Sequence, residues 1–417
     1  MERVILHSDL NNFFASVEAT KNPLLRGKCF AVAGDPHKRH GIILAKSQEA
    51  KKFGILTGET IWEAKLKCPQ LLLVPPDMIA YHHYSKAVQQ IYRRYTDEIE
   101  NFGIDEAWLD VTASRRLFGS GADIAEQIKE QIKSELHLTV SIGVSFNKIF
   151  AKLGSDLKKP DAITVISKEN FKSIVYPLPI SALLFVGKST CEKLYRYGLR
   201  TVEHLAQADP FLLKKILGVN GVALHEYALG HCPDHSLLMQ QPPVKSVGNS
   251  VTPHQDLCTF DEIWIQILLL AEHIAGRLRK KGLSGTLISI YVRNSQFLSG
   301  TRQRSIPLPT STASVIAQTA FSLFCENYDL SVPVRCLGIS VSKLQHDNGH
   351  IQLSFFESNQ NRIRNQQLDD AVDRLRNHYG FDCVSRARCI RKHLKNYTIP
   401  TDPSHPDTLC TLPGCRL

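Results

Sequence analysis

Acidic residues at the ends of two apolar segments constrain this chain more than any other feature. Asp9 lies near the end of the stretch RVILHSDL, and Asp105 and Glu106 lie near the start of the stretch GIDEAWLDV. Both stretches are typical of β-strands. If these strands are neighbours in one sheet, three carboxylates meet at one place and repel one another unless a cation neutralises them. The alternative is that Asp105 and Glu106 belong to a solvated turn.

Carboxylate oxygens are ligands that suit Mg²⁺, which usually binds through one or two carboxylates together with substrate phosphates. Two such ions, about 4 Å apart, stabilise both the attacking and the leaving oxygen of an in-line displacement. If the carboxylates converge in this way, a divalent cation bound there predicts phosphoryl transfer, although the spacing alone does not decide between such a site and a solvated turn.

Length, composition and charge indicate the number of domains and the kind of partner. A chain of 417 residues exceeds one ordinary core and predicts two to four domains. Hydrophobic residues make up 43% of the chain and charged residues 22%, which is the balance of a globular protein. The formal net charge of +10 favours a polyanionic partner, nucleic acid first and an anionic membrane second.

Targeting and redox features favour the cytoplasm. The start MERVILHSDLNNFF does not have the pattern of a signal peptide, and the longest apolar stretch, IWIQILLLAEHIAG, is too interrupted to span a membrane. Eleven scattered cysteines indicate reduced thiols. Cys410 and Cys415 with His405 form half a zinc site, so a disordered tail is the preferred interpretation there.

The spacing of apolar residues and the positions of glycines indicate how the chain divides into domains. A β–α–β frame carries the acids, and its helix has Ile124, Ile128, Ile132 and Leu136 at four-residue spacing. Residues 168–231 predict short helices joined by the glycine turns VGKS and LGVNG, as in helix–hairpin–helix elements. Residues 244–344 predict the order β–α–β–β–α–β, with a helix over 260–281 ended by Gly282 and another over 311–327.

Four motifs occur in order along the chain: HSDLNNFFASVE, GIDEAWLDVT, VSIGVSFNKIFAKLGSDLKKPDAITVI and KSVGNSVT. Together they resemble the Y-family DNA polymerases, most closely the bacterial DNA polymerase IV branch, over about residues 1–380. The resemblance implies an α/β multidomain, right-hand polymerase with a β–α–β palm, small α/β fingers, a helical thumb with helix–hairpin–helix elements and a β–α–β–β–α–β little finger. The implied boundaries are 1–13 and 76–167 for the palm, 14–75 for the fingers, 168–231 for the thumb, 232–243 for a linker, 244–344 for the little finger and 345–417 for a tail.

The resemblance also assigns roles at the catalytic centre. Asp9, Asp105 and Glu106 would be catalytic and would hold the two Mg²⁺ ions, and the backbone carbonyl of Leu10 would complete the set. Phe14 would be the steric gate that packs under the sugar of the incoming dNTP and excludes a 2′-hydroxyl. The remaining nucleotide-binding positions would be Phe13, as support for the gate, and Lys159, Gln48 and Lys51 around the triphosphate.

Three of these positions depart from the family pattern. Gln48 and Lys51 stand where the family commonly has a tyrosine and an arginine, so the charge is kept while the bidentate fork is lost. Phe185 stands where the thumb hairpin usually opens with a glycine, although Gly187 remains to offer backbone N–H groups to a DNA phosphate. We expect the hairpin with a modified turn.

A polymerase of this kind must hold primer-template DNA without reading its sequence, through contacts to phosphates. Residues 244–344 contain ten Lys and Arg against six Asp and Glu. The predicted DNA-binding residues are Gly187, Lys188, Gly218 and Gly221 in the thumb and Lys245, Arg293, Arg302 and Arg304 in the little finger.

The stretch IQLSFFES resembles the short peptide with which bacterial polymerases bind the sliding clamp. Its anchors would be Gln352, Leu353, Phe355 and Phe356. The alternative is an extra strand packed on the little finger. We expect a monomer apart from these partners.

The sequence thus favours a template-directed, low-fidelity DNA polymerase that extends a primer 3′-hydroxyl and bypasses damaged template bases. One alternative is a catalytically weak relative that acts as a DNA- and clamp-binding accessory factor. A second is a nucleotidyl cyclase, which shares a β–α–β palm with metal-binding acids but has no need of hairpins or a basic final domain.

Overall fold

A computed structural model describes residues 2–35, 41–232, 244–347, 359–380 and 383–387. The chain divides into two compact units, one formed by residues 1–34 and 42–241 and the other by 35–41 and 242–417. No helix in the described ranges is long and apolar enough to cross a membrane. The four-part division predicted from the sequence is finer than these two units and stays a prediction.

A five-stranded sheet forms the centre of the first unit. Its strand order is β5-β6-β1-β7-β8, in which β1 pairs antiparallel with β6 on one side and β7 on the other, and β8 pairs parallel with β7. The helix over the predicted isoleucine stripe begins with a capping box between Ser120 and Asp123, and Ile124, Ile128 and Ile132 are fully buried. The strands and helices of this layer are β1 (Ile5–Leu10), α1 (Phe13–Lys21), α4 (Met78–Tyr92), β5 (Ile99–Asn101), β6 (Glu106–Asp110), α5 (Arg115–Phe118), α6 (Gly121–Leu136), β7 (Val140–Ser145), α7 (Lys148–Leu157) and β8 (Ile163–Ile166).

A small three-stranded sheet, in the order β3-β2-β4, lies within the sequence predicted as fingers. Its own core is small and joins Ile43, Ile55 and Ile61 to Cys68. The helix α1 packs into the core of the central sheet through Phe13, although the sequence interpretation began the fingers at residue 14. The elements of this part are a 3₁₀ turn (Pro23–Leu25), β2 (Phe30–Ala33), β3 (Ile43–Lys46), α2 (Gln48–Lys52), α3 (Ile61–Lys67) and β4 (Leu72–Val74).

Short helices follow the central sheet, as the two glycine turns predict. Each is too short to be stable alone, so packing around a shared apolar cluster that includes Leu194, Leu205 and Leu213 holds them together. The elements are α8 (Phe171–Val175), a 3₁₀ turn (Ile180–Ala182), α9 (Lys188–Tyr195), α10 (Val202–Gln207), α11 (Pro210–Leu217) and α12 (Val219–Ala228).

The second unit has the predicted β–α–β–β–α–β order. Its four-stranded sheet runs β11-β10-β12-β9, and all of its pairs are antiparallel. The first helix ends before Gly282, which takes a φ of 61° as the predicted stop. The elements are β9 (Ser246–Val251), α13 (Phe260–Lys280), β10 (Leu283–Asn294), β11 (Ser299–Thr310), α14 (Ala313–Asn327) and β12 (Val334–His346).

A final helix, α15 (Asn359–Tyr379), lies within the segment predicted as a tail. It ends before Gly380, and it packs on α13 through charged groups. Arg279 of α13 donates to Asp369 at 3.2 Å and to Asp373 at 2.6 Å, and Asp369 is buried. This part of the tail therefore belongs to the second unit.

Candidate active site

The strand pairing brings the predicted catalytic acids together. On β1, Asp9 lies directly opposite Glu106 of β6, and the backbone N–H of Leu10 donates to the carbonyl oxygen of Asp105 at 3.0 Å. Asp105 precedes the first residue of β6, so the strand predicted over residues 103–111 is shorter in the structure. The expectation that the two acidic segments are neighbours in one sheet is confirmed.

Two lysines supply positive charge to these carboxylates. The Nζ of Lys152, on α7, lies 2.6 Å from the Oε2 of Glu106 and 3.1 Å from the Oδ2 of Asp9. Lys159 lies 2.9 Å from the same oxygen of Asp9 and 2.8 Å from Asp156. Asp9 and Glu106 therefore share one cation, the ammonium group of Lys152.

The environment opposes negative charge on these acids. Burial raises the pKa of the Asp105 carboxyl, and the charge of Asp9 raises it further. Burial also raises the pKa of Glu106, although its hydrogen bond to Lys152 acts in the opposite direction. Burial lowers the pKa of Lys152, but the hydrogen bond to Glu106 and the charge of Asp9 outweigh it and raise that pKa overall. The site is thus short of positive charge without its lysines.

His7 is a buried histidine that lies beside these acids. Its ring is fully buried, and burial together with the charges of Lys152 and Lys159 lowers its pKa to about 2. The Nδ1 of His7 forms a hydrogen bond with the Oγ of Ser155 at 2.8 Å, and that Oγ also lies 2.8 Å from the carbonyl oxygen of Lys152. The other ring nitrogen, Nε2, lies 3.5 Å from the Oε2 of Glu106 and has no hydrogen-bond partner among the described residues.

The donor set fits a hard divalent cation, because carboxylate oxygens from two paired strands meet at one point. Within the described ranges, no group of three or more His, Cys, Asp or Glu side chains is arranged to hold a metal ion. In this structure the ammonium group of Lys152 bridges the two acids. The sequence interpretation missed Lys152 and His7; the available signal was a lysine between the buried residues Ala151 and Leu153 of α7.

The predicted gate has an aromatic support. The ring of Phe14 stacks on Tyr81 of α4, with centroids 4.2 Å apart and an interplanar angle of 9°. The hydroxyl of Tyr81 donates to Glu18 at 2.7 Å, which fixes the orientation of the second ring. Phe13 is buried in the core, whereas Phe14 is only partly buried.

Gln48 and Lys51, two of the three residues that depart from the family pattern, lie on α2. Ser47 caps this helix by accepting from the backbone N–H of Ala50. Gln48 is partly buried and Lys51 is exposed. Burial lowers the pKa of Lys46, and the charge of Lys51 nearby lowers it further. Two lysines close together at the end of β3 form a positive surface that suits an anion.

The first thumb hairpin forms despite its unusual residue. Phe185 takes a φ of 69°, a left-handed conformation that bulky side chains rarely adopt, and its side chain is 63% exposed. Gly187 then caps α9, which begins at Lys188. The modified turn predicted from the sequence is therefore present, with phenylalanine in the backbone conformation that glycine normally takes.

The second hairpin lies between α11 and α12. Gly218 has a φ of 67° and joins the two helices. Gly221 is required for a different reason, since a Cβ atom there would lie 2.2 Å from the carbonyl oxygen of Leu213. These glycines therefore set the geometry of the hairpin, whatever their contact with DNA.

The predicted arginines of the second unit divide between the two faces of its sheet. Arg302 and Arg304 of β11 lie opposite Ile290 and Ile288, which face the helices. Their side chains accordingly bond to α14, Arg302 to Asn327 and Arg304 to Glu326.

The other predicted cations of this unit lie elsewhere. Arg293 of β10 lies in register with Cys336 of β12 and stacks on Phe297. Lys245 is exposed just before β9. The clamp-binding anchors predicted at Gln352, Leu353, Phe355 and Phe356 lie outside the described residues.

Comparisons with known proteins agree with this geometry. Residues 8–156 match the impB/mucB/samB family and residues 244–355 match its C-terminal domain. The chain is 44% identical over 389 residues to a protein named DNA polymerase IV from Acetivibrio thermocellus, covering 93% of this chain and 97% of the relative. It is 35% identical over 397 residues to DNA polymerase IV 1 from Bacillus subtilis, covering 94% of each.

A solved structure shows the same fold. A Y-family DNA polymerase chimera superposes with a TM-score of 0.72 at 22% sequence identity, covering 82% of this chain and 98% of the other. The α/β multidomain fold of a right-hand polymerase, predicted from the motifs, is confirmed by this likeness. Paired acids on adjoining strands, the domain order and the full-length similarity lead to one conclusion: the chain belongs to the Y-family DNA polymerases, in the DNA polymerase IV branch, and is a DNA-directed DNA polymerase.

Proposed function

We propose that this enzyme performs translesion synthesis: it extends a primer 3′-hydroxyl with dNTPs along a damaged or undamaged template, with low fidelity, by two-metal phosphoryl transfer. The observation that carries the proposal is the convergence of Asp9 and Glu106 on a single cationic point, 3.1 and 2.6 Å from one ammonium nitrogen.

Asp9, Asp105 and Glu106 would hold two Mg²⁺ ions, with the backbone carbonyl of Leu10. Bound there, the ions supply charge stabilisation at the attacking and leaving oxygens. When the metal ions bind, the lysines would give up their contacts with the acids. Lys152 would move away from Asp9 and Glu106, and Lys159 would move from Asp9 to the triphosphate. A point charge on the triphosphate offsets the negative charge that develops as the phosphoryl group is transferred.

Selection of the sugar is assigned to Phe14. A ring that is stacked flat on Tyr81 cannot tilt away from an incoming nucleotide without losing that contact. The ring therefore presents a fixed wall where a ribose 2′-hydroxyl would lie. Phe13 anchors the wall from the core, and Gln48 and Lys51 complete the triphosphate site in place of the usual tyrosine and arginine.

DNA is held through its phosphates. In the thumb, Gly187 and Lys188 present the start of α9 to the backbone, and the hairpin at Gly218 and Gly221 repeats that arrangement. In the little finger we assign Lys245, Arg293, Arg302 and Arg304 to the same purpose. For Arg302 and Arg304 the contact must occur at the edge strand β11, because their side chains lie on the helix side of the sheet.

The segment around Gln352, Leu353, Phe355 and Phe356 is proposed to bind the bacterial sliding clamp, and the enzyme is proposed to act as a cytoplasmic monomer. A pull-down with purified clamp tests the first point: Gln352→Ala/Leu353→Ala should abolish retention while Lys245→Ala keeps it. Retention by both variants would contradict the assignment.

The proposed activity is tested by primer extension on two templates, one undamaged and one with a single abasic site. Extension past the abasic site, at a rate that a replicative polymerase does not reach, is the expected result. Tight binding of primer-template DNA without extension on either template would instead support the accessory-factor alternative.

A further inference from the structure

The small sheet of β2, β3 and β4 holds two thiols in contact. The Sγ atoms of Cys29 and Cys68 lie 3.1 Å apart, although the two residues are 39 positions apart in sequence. Cys29 directly precedes β2, and Cys68 is the C-cap residue of α3. The backbone N–H of Leu72 donates to the carbonyl oxygen of Cys29 at 3.1 Å, and that of Leu71 donates to the carbonyl oxygen of Cys68 at 3.0 Å. Hydrogen bonds of the backbone thus fix both cysteines where their sulfur atoms meet.

The two thiols differ in their access to solvent. Cys68 is fully buried, whereas Cys29 is partly exposed. A reagent in solution can therefore reach Cys29, and Cys68 can react only with a sulfur that is already modified there. Burial and the neighbouring Cys68 thiol raise the pKa of Cys29 to about 12, so little thiolate is present at neutral pH and the reaction is slow.

The pair lies in a core that packing alone stabilises weakly. Nine buried residues form this core, and four of them are alanines. So small a core buries little apolar surface, and a covalent bond across it adds stability that packing does not supply. A metal ion is excluded as the reason for the pair, because among the described residues no third His, Cys, Asp or Glu completes a metal-binding group with these thiols.

The segment around Cys29 also anchors α2. The Oγ of Ser47, the N-cap residue of this helix, donates to the carbonyl oxygen of Lys28 at 2.9 Å. The backbone N–H of Ser47 donates to the carbonyl oxygen of Phe30, also at 2.9 Å. Lys28 and Phe30 are the two chain neighbours of Cys29. A bond between Cys29 and the end of α3 therefore restrains the start of α2.

We propose that Cys29 and Cys68 form a redox modification site, at which a low-molecular-weight disulfide converts the two thiols into a disulfide that joins β2 to α3. First the sulfur of Cys29 bonds to one sulfur of the reagent, the S–S bond of the reagent breaks, and one reagent thiol leaves with the proton of Cys29. The sulfur of Cys68 then bonds to that of Cys29, and the second reagent thiol leaves with the proton of Cys68. The protein loses two electrons and two protons, and the reagent takes up both. This cross-link forms whether or not α2 binds a triphosphate, so it stands apart from the proposed function.

The experiment treats the full chain with glutathione disulfide at alkaline pH, which supplies thiolate, and maps the tryptic peptides by mass spectrometry. Cleavage after Lys28 and Lys67 places the two cysteines on separate peptides, so a linked pair identifies the bond. Hydrogen exchange of the β3 and α2 amides is measured before oxidation, after it, and after reduction with dithiothreitol.

The test variants are Cys29→Ala and Cys68→Ala, and thermal unfolding of each reduced variant confirms that it is folded. The matched control is Cys258→Ala, because Cys258 is an exposed cysteine of the second unit.

We expect linked peptides in the wild type and in Cys258→Ala, and their loss on reduction. Amide exchange in β3 and α2 should be at least about tenfold slower in the oxidised form. Neither test variant should give linked peptides, and Cys68→Ala should accumulate a glutathione adduct on Cys29. A glutathione adduct that stays on Cys29 of the wild type, or no reaction at either thiol, would overturn the proposal. A cross-link that leaves the exchange unchanged would overturn the restraint on α2.

Discussion

Removal of the Lys152 ammonium should destabilise the protein more when divalent metal is absent than when it is present. The substitution Lys152→Met keeps most of the aliphatic stem and leaves Asp9 and Glu106 facing each other without a shared cation. Lys152, Asp9 and Glu106 have side chains that are 14%, 14% and 19% exposed. Their pairing lies between a surface ion pair, worth up to about 1 kcal/mol, and a buried one, whose disruption costs about 3–5 kcal/mol. We therefore expect a loss of about 2 kcal/mol.

The assay is thermal unfolding in EDTA and in Mg²⁺. A loss of about 2 kcal/mol lowers the melting temperature of a unit of this size by about 4–8 °C. In Mg²⁺ the difference from the wild type should shrink, because the bound ion replaces the missing charge between the acids. The matched control is Lys129→Met, a lysine of α6 that is 15% exposed and pairs with Glu126 along the helix; it should cost about 0.5 kcal/mol or less in either buffer. Equal stability of Lys152→Met and the wild type in EDTA, or an equal loss with and without Mg²⁺, would refute the reasoning.

Three further substitutions follow from local geometry. Gly143→Ala should lower the free energy of unfolding by about 3 kcal/mol, because its Cβ would lie 1.9 Å from the carbonyl oxygen of Ala151 in α7; urea unfolding checks this, and a change under about 0.5 kcal/mol would contradict it. Phe185→Gly should raise that free energy by about 0.5 kcal/mol, since relief of the positive φ exceeds the entropy cost of glycine; a clear decrease in the same urea assay would show that its ring is needed for folding. Phe14→Ala should raise incorporation of ribonucleotides several-fold while Mg²⁺ still stabilises the protein, as measured by single-nucleotide insertion; unchanged sugar selectivity would contradict the gate assignment.

The sequence was sufficient for the elements with strong periodicity or clear stop signals. The β–α–β–β–α–β order of the second unit and the end of α13 before Gly282 agree with the structure. The adjacency of Asp9 and Glu106 was also predicted, on the reasoning that carboxylates that share one cation must lie on neighbouring strands. These features can be recognised from sequence patterns without knowledge of the tertiary contacts.

Other features depend on contacts that no local pattern encodes. In the sequence, nothing distinguishes Lys152 from the other lysines of predicted helices. The packing of α7 against β1 and β7 brings it to the acids. The side of the sheet on which Arg302 and Arg304 lie follows from the register of β11 with β10, which one residue of slip would reverse. The docking of α15 depends on Arg279 and Asp369, 90 residues apart in sequence.

The most direct test of the account compares the wild type with Asp105→Asn/Glu106→Gln in primer extension with dNTPs and Mg²⁺, with binding of the same DNA measured in parallel. The control is Glu135→Gln, an exposed carboxylate that pairs with Arg94 away from the acids. The account predicts extension by the wild type and the control, and loss of extension by the double variant with DNA binding retained. Extension by the double variant at the wild-type rate would contradict the assignment of these acids as the catalytic centre.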